Sequence, residues 1–275
     1  MPLRFMYITN NLDVAMIAQK FGVDRIFIDL ETLDKEERQK GMNTVKSHHS
    51  IVDISLIKNQ MDFSDVLVRV NPWNNNSPVE IKQVIDAGAD IVMLPMWKTV
   101  EEVEAFIKEV DSKAKVMLLL ETRQAVECLD KVLQVEGIDE IHIGLNDLHL
   151  SYGLTFMFEL LANGIVESLC EKIRCAGIPY GFGGIARIGA GELPAEKILA
   201  EHYRLGSSFA ILSRSFCNAE AIEDLQEIEN IFKFKLKEIR DFEESLIQKS
   251  ADYFDKNKDE LCHIVENIVR RKRHG

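Results

Sequence analysis

The amino-acid sequence predicts a (β/α)8 barrel followed by a helical extension. Short apolar runs rich in β-branched residues alternate with segments of helical spacing. The runs are continuously apolar, which is typical of parallel strands buried on both faces. Five of them follow a glycine, the residue that most readily takes the left-handed conformation closing a helix. A doubly wound open sheet is the alternative.

Eight candidate strands follow one another, at 5–8, 22–30, 66–70, 88–94, 115–120, 137–143, 177–182 and 206–212. Helical spacing is found between them, at 13–20, 79–87, 100–110, 125–133, 164–175 and 195–203. The longer stretch 32–64 predicts an ordered loop and a short helix near 51–58. We assign 1–217 to the barrel and 218–275, where helical spacing returns without strands, to a C-terminal extension.

Composition excludes several classes of function. The chain has 275 residues with 45 Asp and Glu against 33 Lys and Arg, a net charge of −12. This acidity disfavours nucleic-acid binding. The absence of a run of about 20 apolar residues predicts no membrane span. No signal peptide is expected, and the five cysteines lack zinc-site spacing, so we predict reduced thiols in a cytoplasmic protein.

Charged residues follow the predicted strands, and such strand ends share one face of a barrel. Asp29 and Glu31 follow the second strand, Arg69 ends the third, and Glu121 and Asp147 follow the fifth and sixth. Four carboxylates around one arginine repel each other unless a cation lies among them. Their oxygens suit Mg²⁺ or Mn²⁺, and Glu121 and Asp147 follow neighbouring strands. The alternative is that each acid caps the helix after its strand.

At these residues the sequence resembles the HpcH/HpaI aldolase and citrate lyase β-subunit family. The resemblance covers roughly 5–217 and rests on Asp-Leu-Glu at 29–31, Arg-Val-Asn at 69–71, Leu-Leu-Glu-Thr at 119–122 and Gly-Leu-Asn-Asp-Leu at 144–148, with further matches at 22–28, 87–96 and 135–143. It implies a metal-dependent carbon–carbon lyase on a barrel of the phosphoenolpyruvate/pyruvate-binding type.

The resemblance also implies roles, position by position. Glu121 and Asp147 look like the ligands of Mg²⁺ or Mn²⁺, and Arg69 like the residue that holds the keto or enolate oxygen of a pyruvate-like group. The metal would act as a Lewis acid toward a 2-keto acid. The remaining assignments are carboxylate binding by the backbone amides of Gly144 and Leu145, and ordering of metal-bound water by Asp29 and Glu31, with Asn146 beside them.

The general base is open, because Thr32 stands where pyruvate aldolases of this family carry a His. Leu119 likewise replaces a frequent Gln. We predict that His48 or His49 replaces the base, since both follow the second strand and histidine titrates near neutral pH. The alternative is a pair of exposed loop histidines. His149 is a weaker candidate, and His142 is expected to be a packed core residue.

The stretch 181–187 reads Gly-Phe-Gly-Gly-Ile-Ala-Arg. Loops after the seventh and eighth strands of such barrels often bind anions. We therefore predict that Gly183, Gly184 and Arg187 bind an acidic or phosphorylated end of the acceptor. The alternative is a tight loop that needs glycine for its shape.

We expect a class II aldolase acting on a 2-keto acid through a pyruvate enolate and an aldehyde. An acyl-CoA lyase of the citrate lyase or malyl-CoA type is the second possibility, because 32–38 looks closer to that side of the family. A non-catalytic binding barrel is the third. The resemblance also implies a homo-oligomer, a trimer or hexamer, and the amphipathic extension needs a partner for its apolar face.

Overall fold

Eight parallel strands close into a barrel in the computed structural model, which describes residues 2–33 and 49–274. The strands are β1 Arg4–Ile8, β2 Arg25–Asp29, β3 Asp65–Arg69, β4 Ile91–Leu94, β5 Lys115–Leu120, β6 Glu140–Ile143, β7 Tyr180–Ile185 and β8 Phe209–Leu212. Each strand pairs with the next in sequence, and β8 pairs with β1. The (β/α)8 prediction is confirmed, and closure excludes the open-sheet alternative.

Helices connect consecutive strands on the outside of the barrel. They are α1 Leu12–Lys20, α2 Ile51–Lys58, α3 Ser77–Asp86, α4 Val100–Val110, α5 Arg123–Val132, α6 Leu145–Ser151, α7 Glu159–Ala162, α8 Ile165–Cys175 and α9 Ala195–Leu205. Sequence periodicity did not predict α6 and α7, because helices of one or two turns are too short to show it.

The barrel interior holds an apolar layer above a buried ion pair. The layer consists of Met6, Phe27, Leu67, Ile91, Met93, Met117, Leu119 and Phe209. Below it, Arg25 at the start of β2 donates two hydrogen bonds, of 2.6 and 2.7 Å, to the Glu140 carboxylate at the start of β6. Because these groups fill the lower end of the barrel, small molecules can reach the interior only from the opposite end.

The chain after β8 continues as α10 Leu225–Asn230, a π-helical turn Ile231–Lys235, α11 Leu236–Ile247 and α12 Ala251–His274. α10 packs on α1, α11 packs on α9, and α12 lies over α7 and α9. Thus α10 and α11 lie between α9 and α1 on the outside of the barrel. They take the place of the helix that follows the eighth strand of a (β/α)8 barrel. The apolar face predicted to need an oligomeric partner is covered by the chain's own barrel, with Ile228, Phe232 and Ile239 buried. The division at 217/218 into two domains stays a prediction.

None of the helices described combines the length and apolar character needed to cross a membrane.

Candidate active site

Arg69 is held by two carboxylates where β2 and β3 end. Asp29 and Arg69 are direct neighbours in the strand register. The Nε and Nη2 atoms of Arg69 donate to the Asp29 carboxylate at 2.9 and 2.8 Å, and Nη1 lies 3.3 Å from Glu31 Oε2. Burial opposes the charged form, but Asp29 and Glu31 outweigh it and raise the pKa of Arg69 well above its usual value. Arg69 is therefore a fixed positive charge at the barrel mouth.

Glu121 is buried at the end of β5, with 3% of its surface exposed. The next residue, Thr122, starts α5 by accepting a hydrogen bond from the Ala125 amide and donating one to the Trp97 carbonyl. This cap turns the chain directly after Glu121. The Glu121 Oε1 atom accepts a hydrogen bond of 3.1 Å from the Met96 amide, and Met96 has a left-handed φ of 54°. A strained backbone position is thus used to hold one carboxylate oxygen.

Gly144 leaves the space in which the Glu121 carboxylate lies. A Cβ atom at Gly144 would come within 2.8 Å of Glu121 Oε2. Gly144 also precedes the first residue of α6, which carries Asp147 in its first turn. Burial first, and the charge of Asp147 second, raise the pKa of Glu121 well above its usual value. The two acids are close enough to repel each other.

This donor set fits a hard divalent cation, because a cation relieves the repulsion between two carboxylates and carboxylate oxygens suit Mg²⁺ or Mn²⁺. The described part of the chain has no group of three or more His, Cys, Asp or Glu side chains able to hold a metal. Glu121 and Asp147 would therefore leave most coordination positions to water and substrate, as is common for Mg²⁺.

Two adjoining cavities open at this end of the barrel. The inner one, of about 180 Å³, brings together most of the predicted site residues: Arg69, Glu121, Gly144, Leu145, Asn146, Asp147, Gly183 and Gly184. The outer one, of about 620 Å³, is lined by Asp29, His49, Arg69 and Asn146 among others. Arg69 and Asn146 line both cavities, so they stand at the passage between them.

Other predicted residues are placed differently. Arg187 lines neither cavity, and its Nε atom donates to the Phe216 carbonyl. Its role in binding the acceptor stays a prediction. Asp29 and Glu31 bind Arg69, and their predicted role in ordering water is untested. His149 is buried away from both cavities, with Nδ1 3.3 Å from the Leu145 carbonyl oxygen. His48 lies outside the described residues.

His49 lines the outer cavity, but its ring is already engaged. The Asp29 amide donates a hydrogen bond of 2.8 Å to His49 Nδ1. A nitrogen that accepts an N–H bond carries no proton, so the neutral ring holds its proton on Nε2. In this arrangement His49 is set to donate a hydrogen bond rather than to take up a proton. Its role as the base stays a prediction.

Sequence reasoning missed two cavity residues. His142 is buried as expected and stacks on Phe209, yet it also lines the inner cavity, and neither ring nitrogen has a hydrogen-bond partner among the described residues. Burial lowers its pKa to about 3, so the ring is neutral at physiological pH. Arg214, two residues after β8, lines the outer cavity. Its position in a loop after a barrel strand was the available signal.

Comparison with known proteins identifies the family. Residues 5–175 match the HpcH/HpaI aldolase/citrate lyase family, and they contain β1 to β6 with Arg69, Glu121 and Asp147. The chain belongs to this family. The resemblance stated from the sequence is therefore confirmed.

Curated relatives and solved structures agree with this membership. The chain is 28% identical over 148 residues to the 2-keto-3-deoxy-L-rhamnonate aldolase of Shigella dysenteriae and 27% identical to that of Escherichia coli, with 42% of this chain covered in each case. It spans about half the length of these relatives, 55%. An HpcH/HpaI family protein from Burkholderia cenocepacia has the same fold, with a TM-score of 0.62, 16% identity, and coverage of 82% of this chain and 94% of that one. The HpcH/HpaI aldolase from Desulfitobacterium hafniense aligns at 0.60 with 15% identity, covering 86% and 93%.

Proposed function

We propose that this protein is a divalent-metal-dependent carbon–carbon lyase, a class II aldolase that cleaves or forms a 2-keto acid through a pyruvate enolate and an aldehyde. One observation carries the proposal: a small cavity closed from below holds two interacting carboxylates, Glu121 and Asp147, next to the fixed positive charge of Arg69. The aldolase relatives support a 2-keto acid as the substrate class.

Each residue of the site would have a separate role in the reaction. Glu121 and Asp147 would hold Mg²⁺ or Mn²⁺, which supplies Lewis-acid stabilisation of negative charge on the keto acid when it is bound. Arg69, kept in position by Asp29 and Glu31, directs a guanidinium toward the oxygen on which that charge develops. Of the two amides predicted to bind the substrate carboxylate, that of Gly144 donates instead to the Leu120 carbonyl at 3.0 Å. Leu145 lines the same cavity, and its amide remains the candidate for that carboxylate.

In the cleavage direction, the bond between C3 and C4 of the keto acid breaks and the C4 hydroxyl loses its proton. The electron pair remains on the pyruvate fragment, and C3 then gains a proton. The pocket suits this charge, because only 15% of the Arg69 side chain is exposed and a partly buried guanidinium acts more strongly on a nearby oxygen than one in water.

The test is enolisation of pyruvate without any aldehyde. We expect the protein with Mg²⁺ or Mn²⁺ in D₂O to exchange the pyruvate methyl protons, which is followed by loss of the methyl NMR signal. Glu121→Gln and Asp147→Asn should each lower the rate by 100-fold or more (on the order of 10²–10³). Glu127→Gln, an exposed acid on α5, is the matched control and should leave the rate unchanged.

Absence of exchange with every divalent metal contradicts the proposal. Cleavage of a CoA thioester in that case would favour the acyl-CoA lyase, and neither activity would favour a binding barrel. We also propose that the protein is a homo-oligomer, which light scattering tests directly.

A further inference from the structure

The loop after β8 presents a second arginine to the outer cavity. Arg214 and Ser215 are exposed, whereas the next residue, Phe216, is fully buried and packs edge-on against Phe232. The Ser213 amide donates to the Ile185 carbonyl at 2.9 Å, and the Ser213 carbonyl accepts from the Phe216 amide at 2.8 Å. The backbone of this turn is thus hydrogen-bonded on both sides of Arg214, which lines the outer cavity.

The two arginines of the outer cavity differ in their charge partners. Arg69 is already ion-paired with Asp29 and Glu31. Arg214 makes no ion pair within residues 2–33 and 49–274, although the exposed acid Glu220 lines the same cavity. The cavity wall therefore offers one guanidinium that no described carboxylate occupies.

The position of Arg214 in the outer cavity determines which part of a substrate it can contact. If a 2-keto acid lies in the inner cavity beside Glu121, its reaction partner must enter from the outer cavity, because Arg25, Glu140 and the apolar layer fill the barrel below. A partner that passes Arg69 and Asn146 with its carbonyl group leaves its other end in the outer cavity, which Arg214 lines.

We infer that Arg214 is a specificity-determining residue that binds an anionic group, a carboxylate or a phosphate, at the end of the aldehyde opposite its carbonyl. The inference rests on the proposed aldolase function and specifies its acceptor class. A guanidinium matches carboxylate and phosphate oxygens in paired hydrogen bonds, which a neutral hydroxyl end cannot replace. Arg214 thus lines the outer cavity, whereas Arg187, the residue predicted from the sequence to bind the anion, lines neither cavity.

The experiment compares paired aldehydes in aldol addition to pyruvate. Succinic semialdehyde is paired with butanal, and glyceraldehyde 3-phosphate with glyceraldehyde, so the two pairs also distinguish carboxylate from phosphate. For Arg214→Gln we expect KM for the preferred anionic aldehyde to rise by about 10-fold or more, with kcat changed far less and the neutral partner unaffected. Arg214→Lys should recover part of the loss because it restores the charge.

Arg270→Gln is the control, because it removes an exposed guanidinium of α12 that lines neither cavity. Equal losses for charged and neutral aldehydes, no loss for either, or no preference of the unaltered protein for anionic aldehydes would each overturn the inference.

A binding measurement separates this inference from the proposed function. Succinate and inorganic phosphate are titrated calorimetrically into the unaltered protein and into Arg214→Gln. Binding that the substitution weakens about 10-fold supports the anion site even if pyruvate exchange fails. Equal binding to both proteins, or no binding of either anion, counts against Arg214 even if exchange succeeds.

Discussion

At the scale of single residues, the candidate site depends on the absence of a side chain at Gly144 as much as on its acidic residues. Gly144 is required because the Glu121 carboxylate occupies the place of its absent side chain. Its φ of −82° is open to any residue, so backbone freedom is not the reason for glycine here. The requirement is steric. It couples Glu121, which follows β5, to Gly144, which precedes α6.

We predict that Gly144→Ala lowers Mn²⁺ affinity by about 10-fold or more while the protein stays folded. The added methyl group would displace a carboxylate oxygen, and second-sphere displacements of this kind typically cost 10–100-fold in metal affinity. Titration followed by electron paramagnetic resonance measures the affinity. Gly153→Ala is the control: its Cβ would meet no atom, but its left-handed φ of 66° should cost about 1 kcal/mol of stability. Equal Mn²⁺ affinity in the two variants would be evidence against this account of Gly144.

Arg69 provides the second residue-scale prediction. Arg69→Lys keeps the charge but cannot bind Asp29 through two nitrogens while also reaching Glu31. We expect pyruvate proton exchange to fall about 100-fold, because the lysine charge is no longer held in one position where negative charge develops. Arg123→Lys, an exposed arginine paired with Glu127, should exchange at the unaltered rate. Full activity of Arg69→Lys would show that guanidinium geometry is not needed.

At the scale of elements, three outer helices are joined by one acid. Glu167 of α8 lies 2.6 Å from Arg204 of α9 and 2.7 Å from Lys258 of α12. The hydrogen bond from Arg204 is the largest cause that lowers the pKa of Glu167 to about 2. The C-terminal helix is thus joined to the barrel by charge as well as by its apolar face.

This ion-pair cluster predicts a pH dependence of stability. Since the pKa of Glu167 is lower in the folded state than its unfolded value of 4.5, its stabilisation is present above pH 4.5 and is lost as pH falls toward 2. About a third of the side chain faces solvent, so the amount is of the order of 1 kcal/mol or less.

Urea denaturation between pH 6 and pH 2.5 should show a smaller loss of stability for Glu167→Gln than for the unaltered protein. Glu171→Gln removes an exposed acid from the same helix and should follow the unaltered profile. If all three profiles coincide, the cluster does not contribute to stability.

At the scale of the whole molecule, the residues after β8 are part of the barrel wall. Phe232 is completely buried, with its ring 5.0 Å from that of Tyr7 in β1 and 5.4 Å from that of Phe216 after β8. The Glu243 carboxylate of α11 accepts a hydrogen bond of 2.8 Å from the Leu3 amide. The start of the chain and the segment after residue 217 are therefore held together.

We predict that Phe232→Ala lowers the free energy of unfolding by about 3–5 kcal/mol, the usual cost of removing a buried aromatic ring. The loss should occur in a single transition that includes the barrel, as measured by calorimetry and circular dichroism. Phe234→Ala is the matched control, because 52% of Phe234 is exposed and its loss should cost little. Two separate transitions, with the barrel unaffected, would instead support independent domains at 1–217 and 218–275.

The sequence by itself determined the barrel and the chemistry at the strand ends. Continuous apolar strands and helix-closing glycines are local signals that repeat, and their order is enough to indicate a (β/α)8 barrel. The same order places Arg69, Glu121 and Asp147 on one face, because parallel strands all end at the same side of a barrel. The charged residues at the ends of β3, β5 and β6 could therefore be interpreted without coordinates.

Only the tertiary structure decided where individual side chains lie within that face. Arg187 and Arg214 both follow late strands, and nothing local distinguishes them, yet packing directs Arg187 onto the Phe216 carbonyl and leaves Arg214 at the cavity. The engaged ring nitrogen of His49 and the covered apolar face of α10 and α11 depend likewise on contacts between residues distant in sequence. Periodicity specifies which side of an element is apolar, but the partner that covers it is set by the closure of the whole barrel.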